Sequence, residues 1–269
     1  MKKTVLTISL LIVALTFSAF AKDEKSFKEI FNGKDLKGWN GNPDLWSVKD
    51  GVITGETTEA NPIKANTFLI WTGAEKTEVV CMRTPRKGLG AEDLTYQKKV
   101  IRSGKEAAVS DFELRLSCKI MPAKGKGNSG IQYRSTVLDT NNWIVGGYQA
   151  DFEAGTKYSG ILYEEKMTRG IMALRGEKVI WTKDCKKEVT GSVGDSDEIQ
   201  AAIKDGEWNE YVIIAKGNHL QHFINGKQTV DVIDDCESKR AMDGVIAFQV
   251  HVGPPMTVQF KDIRLKNLK

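Results

Sequence analysis

In Phe112-Glu113-Leu114-Arg115-Leu116-Ser117-Cys118-Lys119-Ile120 every even-numbered residue is apolar and every odd-numbered one polar. Successive side chains of a β-strand point to opposite faces, so this strict period of two predicts a strand with one face on a core and the other toward solvent or ligand. Moving outward from it, Trp46 to Ile53 and His222 to Lys227 each set Asp-Gly or Asn-Gly between apolar runs (Asp50-Gly51 and Asn225-Gly226). Tight hairpins need positive φ at both central residues, which these pairs tolerate. Further strands are expected at Gly130 to Ser135, Tyr148 to Phe152, Glu210 to Lys216, Gly244 to His251 and Thr257 to Leu265. No stretch sustains an apolar stripe at helical spacing for three turns, so the chain is all-β. Two packed antiparallel sheets joined as a jelly-roll β-sandwich would bury the apolar faces without long open edges. Two segments carry little periodicity: Ala74 to Ala108, rich in Lys, Arg and Glu, and Asp184 to Lys204, with Gly, Ser and Asp clustered around Gly191 to Asp197.

The start of the chain sets the expected compartment. Lys2 and Lys3 precede an uncharged, mainly apolar run from Val5 to Phe20 that ends in Ala19-Phe20-Ala21. This is the pattern of a secretory signal peptide, with cleavage expected after Ala21 and a periplasmic or secreted destination. A membrane anchor would need about 20 apolar residues, whereas charge resumes at Lys22, Asp23 and Glu24. Loss of Lys2 and Lys3 lowers the formal charge from +4 to +2, too small to imply a polyanionic partner such as nucleic acid. Residues 22–269 are expected to form one domain with a sizeable core. The four cysteines, Cys81, Cys118, Cys185 and Cys236, permit two disulfides in three connectivities, and their spacing matches no zinc motif. Cys118 falls on the apolar side of its strand, where a buried thiol is as plausible as a bridge.

Polar groups concentrate on one face of the central strands. Alternation puts Gln149 and Asp151 opposite Tyr148, Ala150 and Phe152, groups Gln132 with Arg134, and sets Gln249 and His251 opposite Ile246, Phe248 and Val250. Such a face suits a hydroxyl-rich ligand, since each group can exchange paired hydrogen bonds with a sugar. The plainer alternatives are a wet sheet face, an Asp151–Arg134 ion pair, a solvated edge at Glu164 and Glu165, a partly buried His251, core or rim aromatics at Tyr163 and Trp143, and a surface charge at Arg169. Asp151 and Glu153 have the acidic alternation of calcium sites, but no EF-hand loop, His-x-x-x-His pair, phosphate loop or Gly-x-Ser-x-Gly elbow is present.

The blocks "FKEIFNGKDLKGWNG" (Phe27 to Gly41), "WSVKDGVITG" (Trp46 to Gly55), "NTFLIW" (Asn66 to Trp71), "SDFELRLSCKI", "GNSGIQYRS", "GGYQADF", "SGILYEE", "GEWNEYVIIAKGNHLQHFINGK" (Gly206 to Lys227) and "GVIAFQVHVGPPMTVQFKDIRLK" (Gly244 to Lys266) together resemble the 3-keto-disaccharide hydrolase domain family, which has a concanavalin A-like jelly-roll fold. One departure stands out: residues 74–108 form an insertion between the "NTFLIW" and "DFELR" strands, longer than an ordinary connection. The resemblance implies an exported enzyme that cleaves the glycosidic bond of a 3-keto-glycoside, its substrate a carbohydrate. A ketone at carbon 3 acidifies the hydrogen at carbon 2, so a base can remove it, an acid or metal can support the departing oxygen, and water can add afterwards. Position in the matching motifs makes Asp151, Glu165 and His251 the acid/base or metal-supporting candidates. Arg134, Gln149, Tyr163, Arg169 and Gln249 are the candidates for orienting the sugar. A divalent metal is the candidate cofactor, with no ligand set assigned. Two other functions fit a jelly roll: a noncatalytic glycan-binding module and an ordinary glycosidase with paired carboxylates.

Overall fold

A computed structural model describes residues 26–73, 108–122 and 125–268 of the chain. The expected signal peptide, Cys81 and nearly all of the 74–108 insertion lie outside the described residues. The strands run in the order β1 (Lys28–Glu29), β2 (Trp39–Asn40), β3 (Trp46–Lys49), β4 (Val52–Thr57), β5 (Thr67–Trp71), β6 (Phe112–Met121), β7 (Asn128–Asp139), β8 (Ile144–Glu153), β9 (Leu162–Glu165), β10 (Gly170–Ala173), β11 (Glu177–Trp181) and β12 (Lys187–Ser192). After the helix α1 (Ser196–Ala201) come β13 (Asn209–Lys216), β14 (His219–Ile224), β15 (Lys227–Asp234), β16 (Val245–Val250) and β17 (Met256–Asn267).

These strands form two sheets, as a jelly-roll sandwich requires. The larger has the order β12-β11-β15-β14-β13-β6-β17-β4-β3, with β1 also on β17, and the smaller β10-β9-β8-β7-β16-β5-β2. All pairs are antiparallel except β11 with β15. The first described strand and the last meet: Lys28 lies opposite Leu265 and Glu29 opposite Arg264. In β6 the predicted alternation holds residue by residue, and Phe112, Leu114, Leu116, Cys118 and Ile120 are buried between the sheets. Phe248 of the small sheet stacks on Phe260 of the large one with ring centroids 4.0 Å apart, and Phe152 meets Phe260 edge-on at 5.8 Å. Each such ring contributes about 2–3 kcal/mol through burial, so aromatic contact across the sandwich is a principal source of its cohesion.

Both predicted hairpins form, with positive φ at Asp50, Gly51, Asn225 and Gly226. The segment Asp184 to Lys204, which carries no sequence periodicity, contains β12 and α1. β12 is an edge strand with almost every residue exposed, so nothing selects an apolar alternation. Asp195 caps α1, its side chain accepting from the Asp197 and Glu198 amides. The same region carries the disulfide Cys185–Cys236, which closes a loop spanning 51 residues and by loop entropy contributes about 4 kcal/mol. Cys118 is buried and forms no disulfide among the described residues.

The small sheet is sharply bent. Register shifts fall between Tyr133 and Thr136 and again between Val137 and Asp139 along β7, and Gly147 takes a positive φ in β8. Extra residues on one strand of a pair bend it, and the end of the β7–β8 hairpin folds over the sheet's outer face. There the Phe68 amide donates to the Trp143 carbonyl at 3.0 Å, and Phe68, Ile70, Val145 and Ala247 form a second apolar cluster. One half of the outer face is therefore closed by the sheet's own hairpin, and the polar half remains beside it.

Candidate active site

Strand pairing places Ile171, Tyr163, Gln149, Gln132, Ala247 and Ile70 in one row across β10, β9, β8, β7, β16 and β5. The row begins at an exposed edge with Ile171, passes through two buried glutamines and ends in the apolar cluster under Trp143. A parallel row carries Asp151 opposite Gly130, and Glu165 pairs with Gly147 at the bend.

The glutamines form an oriented hydrogen-bond chain. Ser135 Oγ donates to Gln132 Oε1, and Gln132 Nε2 donates to Gln149 Oε1 at 2.7 Å. Gln249 Nε2 donates to the same oxygen at 3.1 Å, and Gln149 Nε2 donates to Asp151 Oδ1. With its oxygen accepting twice, Gln149 can only present its amino group to the aspartate, so the direction of the chain is fixed. Gln249 Oε1 is buried and has no hydrogen-bond partner among the described residues. Gly130 makes this arrangement sterically possible, because a Cβ there would lie 2.3 Å from Gln149 Cδ.

Asp151 is buried, and burial pushes its pKa well above the ordinary carboxyl value. The Gln149 hydrogen bond opposes that shift, while the nearby Glu165 and Glu153 charges reinforce it. Oδ1 accepts from Gln149, so a proton taken up by Asp151 goes to Oδ2. Tyr163, half-buried, also titrates above its usual range because of burial and of the Glu165 and Asp151 charges, which puts all three groups in one electrostatic neighbourhood. Glu165 Oε1 accepts from Asn66 Nδ2 at 3.1 Å, and Asn66 Oδ1 accepts from the Val252 amide at 2.9 Å. That bridge ties the Glu165 end of the site to the segment after β16, where His251 sits. His251 Nδ1 lies 2.6 Å from the Val252 carbonyl oxygen, which requires a proton on Nδ1 and leaves Nε2 as the ring nitrogen available to a ligand.

Of the predicted residues, Gln149, Asp151, Glu165, Tyr163 and Gln249 come together, and His251 immediately precedes Val252, whose amide the Asn66 bridge holds. Two do not. Arg134 was expected beside Gln132, but the β7 bulge gives it a φ of 45° and turns its side chain to the inner face. There its guanidinium donates to the carbonyls of Ser110, Gly217 and Ala241 and to Asp111 Oδ1, and the residue is 1% exposed. Arg169 was expected to orient sugar, but it too lies between the sheets. Its Nε and Nη2 donate to Glu164 Oε1 at 2.9 and 2.7 Å and its Nη1 to both oxygens of Asp234 at 3.0 and 2.8 Å. Burial works against its charge, but Glu164 and Asp234 outweigh that cost and hold the guanidinium pKa above its usual value. Glu164 and Glu165, which alternation allows as a solvated edge, are both buried on opposite faces of β9.

Among the described residues no three His, Cys, Asp or Glu side chains cluster as a set able to hold a metal ion. Asn66, Ser135 and Gly130 are the residues of this site that alternation alone passes over. Asn66 begins the "NTFLIW" block, and its polar side chain just before a wholly buried strand is the one local signal for it.

The profile of the family described as the 3-keto-alpha-glucoside-1,2-lyase-like domain matches residues 92–266. Two solved structures from Parabacteroides distasonis ATCC 8503, each of a protein provisionally assigned as a glycosyl hydrolase, have the same fold. One is 18% identical over 90% of this chain and 99% of its own, with a TM-score of 0.50. The other is 17% identical over 93% and 97%, also with a TM-score of 0.50. No curated protein matches the sequence.

Proposed function

This chain belongs to the 3-keto-alpha-glucoside-1,2-lyase-like domain family, and from that premise we propose that it is an exported enzyme cleaving the glycosidic bond of a 3-keto-glycoside by elimination followed by hydration. The observation that carries the proposal is the glutamine chain ending on a buried Asp151, whose pKa burial raises, with Glu165 beside it. Two carboxyl groups in one neighbourhood, one of them raised by burial, supply the acid and base that an elimination needs.

Glu165 takes the proton from carbon 2, which the adjacent ketone acidifies. The electron pair left on carbon 2 forms the double bond to carbon 1 as the bond from carbon 1 to the glycosidic oxygen breaks. Asp151 gives its Oδ2 proton to that departing oxygen. Water then adds at carbon 1, giving one proton back to Asp151 Oδ2, while carbon 2 regains its proton from Glu165, and the sum is hydrolysis. Asn66 holds Glu165 in place, and Gln149 holds Asp151. Tyr163 and His251 stand at the more open side of the group. The unpartnered Gln249 Oε1 is suited to a sugar hydroxyl, since a buried acceptor left without a donor costs about 1–3 kcal/mol.

The test is to incubate the purified protein with a 3-keto-disaccharide and with its unoxidised parent. Monosaccharide released from the keto sugar alone is the expected result. Release from both would assign an ordinary glycosidase, and binding without release a glycan-binding module.

A further inference from the structure

Tyr163 and Glu165 ride on a slight element. β9 and β10 have four residues each, and β9 pairs with β8 from Gly147–Glu165 to Ala150–Leu162, with Asp151 bonded on to Ile161 and Gly160. β10 is the outermost strand of the small sheet and, with the turn before it, is joined to that sheet by strand pairing through β9 alone. The inner side of this hairpin, however, is tied across the sandwich. Arg169, in the connection between the two strands, grips Glu164 through Nε, Nη2 and its own backbone amide, and reaches Asp234 at the end of β15 through Nη1. Its guanidinium also lies 5.1 Å from the Trp181 ring centroid, and Trp181 Nε1 donates to the Met172 carbonyl at 3.2 Å. Asp234 is fixed in turn: Tyr148 Oη donates to Oδ2 at 2.6 Å and the Cys236 amide to Oδ1 at 3.2 Å. Cys236 is covalently bound to Cys185 in the β11–β12 connection.

We propose that Arg169 and Asp234 are positioning residues for the site, holding Tyr163 and Glu165 in place through Glu164, and that the Cys185–Cys236 disulfide is the far anchor of this clasp. The proposal rests on the assignment of Tyr163 and Glu165 to the site. A buried arginine satisfied by two carboxyl groups on different sheets fixes orientation better than a surface pair, because neither partner can move without exposing an unpaired buried charge. Glu164 and Glu165 are consecutive on β9, so a displacement of the inner side chain carries the outer one with it.

The experiment is amide hydrogen exchange on the oxidised protein, on the protein reduced with a dithiol, and on Asp234→Asn. Reduction transfers two electrons and two protons from the dithiol to the disulfide, leaving two thiols and an oxidised dithiol. The expected result is exchange at Leu162–Ala173 faster by about tenfold or more in both treated forms, with Phe112–Met121 unchanged. Lys49→Met, which breaks an exposed pair with Glu56 at the opposite edge of the large sheet, serves as the control and leaves Leu162–Ala173 unaffected. A second readout is the titration of Tyr163 by NMR, assigned with Tyr163→Phe, which should move down toward an ordinary phenol as the hairpin loosens. Equal acceleration in both segments, or none in the hairpin, would overturn the proposal. If Asp234→Asn does not fold, reduction of the wild-type protein decides the matter alone. Loosening of the hairpin without turnover by any form defeats the enzymatic assignment and leaves the clasp standing, whereas turnover with an unaffected hairpin defeats the clasp alone.

Discussion

Gln149 lies directly over Gly130, so close that a methyl group on the glycine would fall 2.3 Å from the amide carbon. The contact explains a glycine in the middle of a buried strand, where its loss of conformational entropy is otherwise a disadvantage. It also makes one position the gatekeeper of the glutamine chain.

Gly130→Ala should therefore push Gln149 off Asp151. The expected outcome is a fall in turnover of a 3-keto-glycoside by about tenfold or more, together with a destabilisation of about 1–3 kcal/mol from overpacking. Steady-state kinetics and urea unfolding check the two parts separately.

Asp151→Asn should abolish turnover, by at least about a hundredfold, and stabilise the fold. The folded pKa of Asp151 is raised by burial, so its favourable contribution is present below the unfolded value near 3.8 and is lost as pH rises through the folded value. The asparagine keeps an acceptor for Gln149 and has no proton to lose. The stability gap between variant and wild type should accordingly widen as pH climbs above about 3.8. Equal urea midpoints for the two proteins at pH 7 would show that Asp151 is not held in its protonated form.

His222 imposes the opposite slope. It is wholly buried beside the Tyr133 hydroxyl, 2.8 Å from Nε2, and burial holds its imidazole down to about 3. Above pH 6.5 it is neutral in both states and adds no slope. Between 6.5 and about 3 the unfolded chain binds a proton that the folded one refuses, so stability falls as pH falls. His222→Gln should remove this part of the acid sensitivity when urea midpoints are followed from pH 7 to pH 4.

Arg134→Met should behave as a structural lesion. It strips three carbonyls of a donor, each costing about 1–3 kcal/mol if left unpaired, and removes the guanidinium from Asp111, which is part-exposed and keeps the Gly217 amide. The KM for a 3-keto-glycoside should stay within about twofold of wild type in whatever fraction remains folded, because the side chain faces away from Gln132 and Asp151. A large rise in KM at unchanged stability would return Arg134 to the sugar-binding face.

The strand pattern was legible because burial between two sheets imposes a period of two, and β6 obeys it without exception. The same logic located Gln149, Asp151 and Gln249 on one face. It failed at Arg134 because a bulge adds one residue to the count and reverses every side chain beyond it, and a bulge leaves no composition signal in "GNSGIQYRS". It failed at Arg169 for another reason. A charged residue in a turn is ordinarily solvated, and its burial here is offset by Glu164, five positions away, together with Asp234, 65 positions away and outside any local window. Asn66 and Glu165, 99 positions apart, join only because the small sheet is bent, a tertiary property that no local window contains. β12 escaped notice since an exposed edge strand places no demand on its side chains.

The pairing of Lys28 with Leu265 has a consequence for how the molecule comes into being. A ribosome delivers β1 long before its neighbour β17, and β4 and β6, whose other partners are β3 and β13, both flank β17, so the middle of the large sheet closes only once that segment is made. Closing so long a loop is entropically costly and slow. β3 and β4 therefore join the rest of the large sheet only after β17 has been made.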